Sequence, residues 1–411
     1  MKRLLISTVF PPHVGGSGRW FWEIYRRLPS DQYLLAVGEH PEQAAFDHSH
    51  HLNVIRMPLA MPTWGTLNWH GLLGYLRNFR TISRLVRQYS INQIHCGTLL
   101  PEGWIGLLAK RRFGIPYLCY VHGEEMNIGR QSRELGWMMR KVLRSAHLVI
   151  ANSRNTATVL QSQWSVNDRQ LRLMHPGVDI ERFVPAARSA EVRRRLGWDD
   201  RPVVLTVGRL QARKGQDHFV LAMDQIRRAQ PKLLYVIIGD GEQRAYLDQL
   251  IRERGLQESV QLRINCDDED LIHCYQQCDL FALPNREVNG DFEGFGMVLL
   301  EAQACGRPVL AGTSGGTGET LLPGKTGQVV CCEQNEPLAR VVIELLSDHQ
   351  KLETMGQAAH QWVVERFDWK VLSRQANELF ESLPTKAATA AHVRGMGLRH
   401  SEVATGKAVE A

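Results

Sequence analysis

Short apolar runs alternate with longer amphipathic stretches along most of the chain, the pattern of βαβ units whose strands lie in buried parallel sheets. In the first half the runs predict strands at residues 3–10, 33–37, 54–57, 93–96, 116–121 and 148–151, with helices such as 17–27 and 133–144 between them. The pattern restarts in the second half, with strands expected at 203–207, 234–238, 260–262, 280–283, 308–310 and 327–330. A polar, Arg-rich segment from Pro185 to Asp200 separates the two series, and Arg201-Pro202 leads into a new strand. The expected fold class is α/β, built as two Rossmann-like domains. Their expected bounds are 1–186 and 187–368, followed by a C-terminal helix at 369–384 that can pack back on the first domain. Residues 385–411 lack a sustained apolar period and are expected to form a mobile tail.

Length agrees with two domains, because 411 residues exceed what one hydrophobic core organises. Hydrophobic residues at 44% and charged residues at 22% describe a folded globular chain and exclude disordered, collagen-like and coiled-coil classes. A net charge of +6 permits an anionic partner without naming one, and no nucleic-acid partner is expected. The apolar run from Leu4 to Phe10 is cut by Pro11-Pro12, so it reads as a first strand rather than a secretory signal. No apolar stretch reaches the roughly 18 residues that span a bilayer, which leaves membrane contact peripheral. Eight cysteines without a CxxC pair fit a reducing, cytoplasmic compartment.

Three segments carry candidate chemistry. His13-Val14-Gly15-Gly16-Ser17-Gly18 lies between the first strand and a helix, where missing Cβ atoms and the helix N-terminus open backbone amides to an anion. Gly208-Arg209-Leu210-Gln211-Ala212-Arg213-Lys214-Gly215 follows the first strand of the second half. Cations placed there face the crevice where α/β proteins bind ligands, and Arg with Lys suits a diphosphate. Glu293-Gly294-Phe295-Gly296-Met297-Val298-Leu299-Leu300-Glu301 holds two carboxylates eight residues apart, within about 80° around a common helix. With Glu293 just ahead of that helix, the amides of Phe295, Gly296, Met297 and Val298 are first-turn donors for an anion.

Other segments only resemble functional motifs. Gly324-Lys325-Thr326 has Glu319 where a P-loop needs glycine and a strand where it needs a helix. Asp268-Glu269-Asp270 opens a helix at 267–276, where the macrodipole accounts for its acids. His273, Cys274 and Cys278 lack a fourth ligand for zinc, and His48, His50 and His51 read as solvated loop histidines. No metal site and no cofactor are expected.

Taken together, several motifs resemble those of the retaining glycosyltransferases of family 4. They are Gly15-Gly16, His122-Gly123, His175-Pro176-Gly177-Val178-Asp179, Gly208-Arg209-Leu210 through Lys214-Gly215, Gly239-Asp240-Gly241 and the E-x7-E pair Glu293 and Glu301. The resemblance covers about residues 1 to 380. The runs Asn152-Ser153-Arg154-Asn155-Thr156, Arg209 to Asp217 and Pro284 to Glu301 are most similar to the phosphatidyl-myo-inositol mannosyltransferase branch. The resemblance implies a GT-B fold, two Rossmann-like domains with parallel sheets facing a central cleft, the first binding acceptor and the second a nucleotide diphosphate sugar donor. It implies that Arg209 and Lys214 hold the diphosphate, that Glu293 binds donor sugar hydroxyls and that Glu301 binds the ribose. It also implies that Gly15 and Gly16 close over the phosphates and that His122 stands beside the transferring sugar. Base contacts are expected from backbone around Arg263-Ile264-Asn265, and Gly239 is expected among the substrate-binding residues. Glu287-Val288-Asn289 and Gly315-Gly316-Thr317-Gly318-Glu319 depart from the usual pattern near the expected donor or acceptor rim and leave the sugar open.

The expected reaction is metal-independent, retaining transfer of a mannose- or glucose-type hexose to a lipid-linked, phospholipid or polysaccharide acceptor. Stabilising the departing phosphate is its main task, which Arg209, Lys214 and the amides of residues 295–298 can meet. An amphipathic stretch at 64–87 sets Trp64, Trp69, Leu72, Leu73, Leu76 and Phe79 beside Arg77, Arg80, Arg84 and Arg87. It can lie on an anionic membrane, or be an ordinary packed helix with a basic outer face. A GT-B relative of other chemistry, such as a nucleotide-sugar epimerase or a phosphorylase, and a nucleotide-sugar binding protein without turnover are the alternatives.

Overall fold

A computed structural model describes residues 2–384; the tail expected at 385–411 lies outside the described residues. The chain divides into two compact units. Unit 1 comprises the residues up to Ala151, Ala157–Met174 and the residues from Ser373 on, and unit 2 comprises Asn152–Thr156 and His175–Leu372.

Unit 1 contains strands β1 (Lys2–Ser7), β2 (Tyr33–Gly38), β3 (Val54–Met57), β4 (Ile91–Cys96), β5 (Tyr117–Val121), β6 (Leu148–Ala151) and β7 (Leu171–Leu173). They form one sheet in the order β3-β2-β1-β4-β5-β6-β7, parallel at every pairing. Strand β1 stops at Ser7, short of the expected residue 10, and the chain then enters the glycine loop. The last part of the helix Trp369–Glu381 belongs to this unit. Its Phe380 ring lies 4.5 Å from His95 and 6.1 Å from Tyr25, and its Phe380 carbonyl accepts from Gln93 Nε2 at 3.1 Å.

Unit 2 contains β8 (Val203–Val207), β9 (Leu234–Ile238), β10 (Val260–Arg263), β11 (Leu280–Leu283), β12 (Val309–Gly312) and β13 (Gly327–Val330), in the order β10-β9-β8-β11-β12-β13. Alternate residues feed the two faces: Val204, Tyr235, Leu280 and Ala282 enter one core, and Val203, Leu205, Phe281 and Leu283 the other. Both faces are covered, which is why these strands read as continuous apolar runs. The division between units falls between Met174 and His175, ahead of the expected 186/187. The Arg-rich segment is integral to unit 2: Arg193 is buried and donates to the carbonyls of Asp199, Gln277 and Arg201.

In each sheet the strand order reverses direction at one place, between β1 and β4 in unit 1 and between β8 and β11 in unit 2. Open parallel sheets bind ligands beyond the carboxyl ends of the strands at such a switch point. The loop after β8 carries the cations, and the loop after β11 carries Glu293 and leads into the helix that carries Glu301.

Candidate active site

After β8 the chain makes a tight turn at Gly208, passes the exposed Arg209 and forms a short 3-10 turn, Ala212–Lys214. Gly215 then adopts a left-handed φ of 74° and starts the helix Gln216–Ala229. The turn delivers Arg213 and Lys214, both buried, to the loop after β11. Lys214 Nζ lies 2.5 Å from Glu293 Oε2, and Arg213 Nη1 pairs with the same oxygen. Arg213 also reaches Asp291 through Nε at 3.3 Å and Gln211 Oε1 through Nη2 at 3.2 Å. Burial alone would raise the Glu293 carboxyl, but the charges of Lys214 and Arg213 outweigh it and hold it below the ordinary carboxylate range.

Glu293 precedes the helix Met297–Ala304, which starts from Gly296 in the left-handed region (φ 88°) with no side-chain cap and no acid in its first turn. Its N-terminal amides therefore present partial positive charge to the loop. Phe295 is buried and stacks on the His175 ring at 5.1 Å, and Gly316 N–H donates to the Glu293 carbonyl at 3.0 Å. On the helix, Glu301 is buried and accepts from Tyr275 Oη at 2.7 Å. At the end of β9, Gly239 has φ 146°, and a Cβ there would stand 2.1 Å from the Gly208 carbonyl oxygen. Of the residues expected at the donor base, Arg263 turns its guanidinium to the Leu196 carbonyl and the Trp198 ring, and its own carbonyl takes the Gly239 N–H at 3.0 Å. Ile264 packs against the core.

Two groups were not marked as site residues in the sequence. Arg213 was hidden by its neighbour Lys214, since adjacent cations on a basic loop do not say which is buried. The second is Glu319, whose carboxylate accepts from the Arg154 and Asn155 amides at 2.8 and 3.0 Å and from His175 Nε2 at 2.9 Å. The two amides open the helix Arg154–Trp164, so Glu319 supplies the anion its N-terminus favours. Burial opposes the charge, while His175 and the amides favour it by more, and the Glu319 carboxyl sits below its ordinary value of 4.5. A depressed carboxyl contributes stability that is complete above 4.5 and is lost as pH falls through the lower folded value. Glu319→Gln is thus expected to cost about 1–2 kcal/mol at pH 7. Thermal unfolding of wild type and variant across pH should converge in acid below 4.5.

In unit 1, Gly15 and Gly16 lie exposed at the start of the helix Gly16–Tyr25, which has no side-chain cap and no acid in its first turn. His122 follows β5; its Nε2 is 2.8 Å from the Gly97 carbonyl and its Nδ1 3.2 Å from Ser17 Oγ. A carbonyl can only accept, so Nε2 carries a proton, and in the neutral ring Nδ1 accepts from the Ser17 hydroxyl. Trp20 and Phe21 pack edge-on against the ring at 5.5 and 5.7 Å. Burial raises the carboxyl of Glu125, whose Oε1 accepts from His122 N–H at 2.9 Å. It does the same to Glu102, which accepts from Thr8 N–H at 2.6 Å.

The acids at 268–270 open the helix Asp268–Gln277, capped by Asp267, with Asp268 paired to Arg182 and Asp270 to Arg195. One expectation is corrected: His50 is not solvated but packs on Trp22 at 5.0 Å and Phe46 at 5.1 Å, and burial lowers its pKa.

Two sheets with reversed strand order, together with a buried acid–cation cluster ahead of an uncapped helix, fit the plan of a two-domain glycosyltransferase. Residues 189–362 match the family described as glycosyl transferases group 1, and residues 14–182 match glycosyltransferase family 4. The GDP-mannose-dependent alpha-(1-6)-phosphatidylinositol monomannoside mannosyltransferase of Mycolicibacterium smegmatis is 34% identical, over 92% of this chain and 97% of that protein. The GDP-mannose-dependent monoacylated alpha-(1-6)-phosphatidylinositol monomannoside mannosyltransferase of Corynebacterium glutamicum is 29% identical, over 93% of this chain and 98% of that protein. The solved structure of Anabaena Alr3699/HepE in complex with UDP shares the fold, with TM-score 0.78, 24% identity and coverage of 93% and 100%. Sucrose-phosphate synthase from Thermosynechococcus elongatus does likewise, with TM-score 0.78, 23% identity and coverage of 93% and 98%. The chain belongs to the family 4, group 1 glycosyltransferases; its fold is GT-B.

Proposed function

We propose that the protein transfers a mannosyl residue from GDP-mannose, with retention and without a metal ion, to a lipid-linked acceptor of the inositol phospholipid kind. The observation that carries the donor reading is the Arg213–Glu293–Lys214 cluster beside the uncapped N-terminus of the helix Met297–Ala304. It combines donors for a diphosphate with an acceptor for sugar hydroxyls. The mycobacterial and corynebacterial relatives, both GDP-mannose-dependent, support the choice of base and sugar.

Leaving-group departure places negative charge on the diphosphate, which Arg209, Lys214 and the amides of residues 295–298 stabilise in this reading. Glu293 keeps its pairing with Arg213 and is a poor nucleophile, so it serves as a hydroxyl acceptor rather than attacking C1. The acceptor hydroxyl attacks C1 from the face the phosphate leaves, the C1–oxygen bond to phosphate breaks, and the departing phosphate takes the proton. The roles of Gly15, Gly16 and His122 in this reading are those the family resemblance implies. In the neutral tautomer His122 offers no further N–H beyond the one given to Gly97.

A lipid acceptor is supported by the helix Trp69–Gln88, which buries Tyr75, Ile82, Leu85 and Val86 yet leaves Trp69, Leu73 and Leu76 exposed. Leu73 and Leu76 share the outer surface with Arg77, Arg80 and Arg84, around a groove of about 630 Å³. Apolar and basic groups outward together suit an anionic membrane surface. No helix among the described residues is long and apolar enough to cross a membrane.

The test is thermal unfolding with GDP, UDP, ADP and their sugar nucleotides, in EDTA and in magnesium. GDP-mannose at a hundred times its Kd should add about 2.7 kcal/mol in EDTA as well as in magnesium. No response to any of them would overturn the donor reading, and failure to float with anionic vesicles would overturn the membrane reading.

A further inference from the structure

We propose that Arg213 is the standing counter-ion of Glu293, the side chain that keeps this carboxylate charged and in place while Lys214 is drawn to the donor's diphosphate. This rests on the donor-site reading above.

Glu293 is 8% exposed and shares one oxygen between two cations of different character. Lys214 is a compact ammonium on a flexible stem, 2.5 Å away, next to Gly208 at the mouth of β8. A diphosphate carries more charge than a single carboxylate and competes for that ammonium. Arg213 is a rigid planar fork, 3% exposed, and it is pinned on several sides. Asp291 holds its Nε at 3.3 Å and Gln211 its Nη2 at 3.2 Å. Its carbonyl accepts the Arg286 N–H at 2.8 Å, and Arg286 is fixed in turn by a two-pronged pair with Asp217 at 2.7 and 2.8 Å. One cation is therefore built to move and the other to stay. Without Arg213, a donor that engages Lys214 leaves a buried carboxylate with no fixed charge beside it, and such a group is neutralised or displaced. The loss falls on recognition of the sugar, not of the nucleoside diphosphate.

The experiment measures Kd for GDP and for GDP-mannose by calorimetry, with transfer kinetics, for wild type, Arg213→Gln and Arg213→Lys. Arg213→Gln should raise the GDP-mannose Kd about tenfold while GDP binding moves less than about threefold. Its kcat/KM should fall about 100-fold, with partial rescue in Arg213→Lys. A role confined to folding would weaken both ligands alike. If Arg213→Gln does not fold, Asp291→Asn should show the same selective loss at smaller size. Equal loss of GDP and GDP-mannose would mean a structural or a phosphate-binding role for Arg213 and overturn the proposal, as would wild-type behaviour in both variants. Wild type binding neither ligand would instead mark failure of the donor reading beneath it.

Discussion

Glu293→Ala is expected to lower transfer by about 10³-fold and to destabilise the fold by about 3–5 kcal/mol. Both effects come from the same geometry. The side chain is the meeting point of Arg213 and Lys214, which are 3% and 9% exposed. Deleting it leaves two like charges facing each other in a poorly hydrated place, and removal of one partner costs more than the pair contributed. Glu293→Gln separates the two effects. The amide preserves shape and one acceptor oxygen but no charge, so it should regain part of the stability while transfer stays low. Thermal unfolding and released GDP measure the two quantities, and a stable, fully active Glu293→Ala would remove the cluster from the mechanism.

Much of the fold was legible because parallel strands buried on both faces leave uninterrupted apolar runs. Val203–Val207, Leu234–Ile238 and Leu280–Leu283 could be placed from the sequence to the residue. Strand β7, Leu-Arg-Leu at Leu171–Leu173, was not, because three half-open residues at a sheet edge carry no run. The chain also crosses between units at Ala151/Asn152 and Thr156/Ala157, inside what reads as a single strand–helix passage.

Site legibility followed a different rule. Lys214, Glu293 and the glycine-led helix start were visible because loops after parallel strands are where ligands bind, and residue type there already implies a task. What stayed hidden depends on side-chain direction. Arg213 and Lys214 are neighbours in sequence, yet they approach Glu293 from differently supported positions. On the helix Trp69–Gln88 the apolar residues named in the sequence are partly the outward ones, since Tyr75, Ile82 and Val86 serve the core instead. Periodicity gives an apolar stripe; it does not say whether protein covers it.

Gly215→Ala is expected to cost about 3 kcal/mol or more and to weaken donor binding by about 100-fold, although the residue has no side chain to offer a ligand. Gly215 ends the turn that presents Lys214 and holds φ at 74°, which for alanine already costs about 1–2 kcal/mol. The larger part is contact: a Cβ would stand 1.8 Å from the Pro284 carbonyl oxygen and 2.8 Å from its carbon. Both belong to backbone just beyond β11, so no rotamer change relieves the overlap. Either the loop after β8 or the loop after β11 must withdraw, and each carries half of the Lys214–Glu293 pair. Stability and GDP-mannose affinity should therefore fall together, measured by thermal unfolding and calorimetry. In Gly255→Ala, by contrast, only the φ penalty applies, because φ is also positive at 60° but nothing stands within 4 Å of the added carbon. That variant should lose about 1 kcal/mol and keep its donor affinity. A Gly215→Ala protein as stable as Gly255→Ala would mean that the two loops are free to separate.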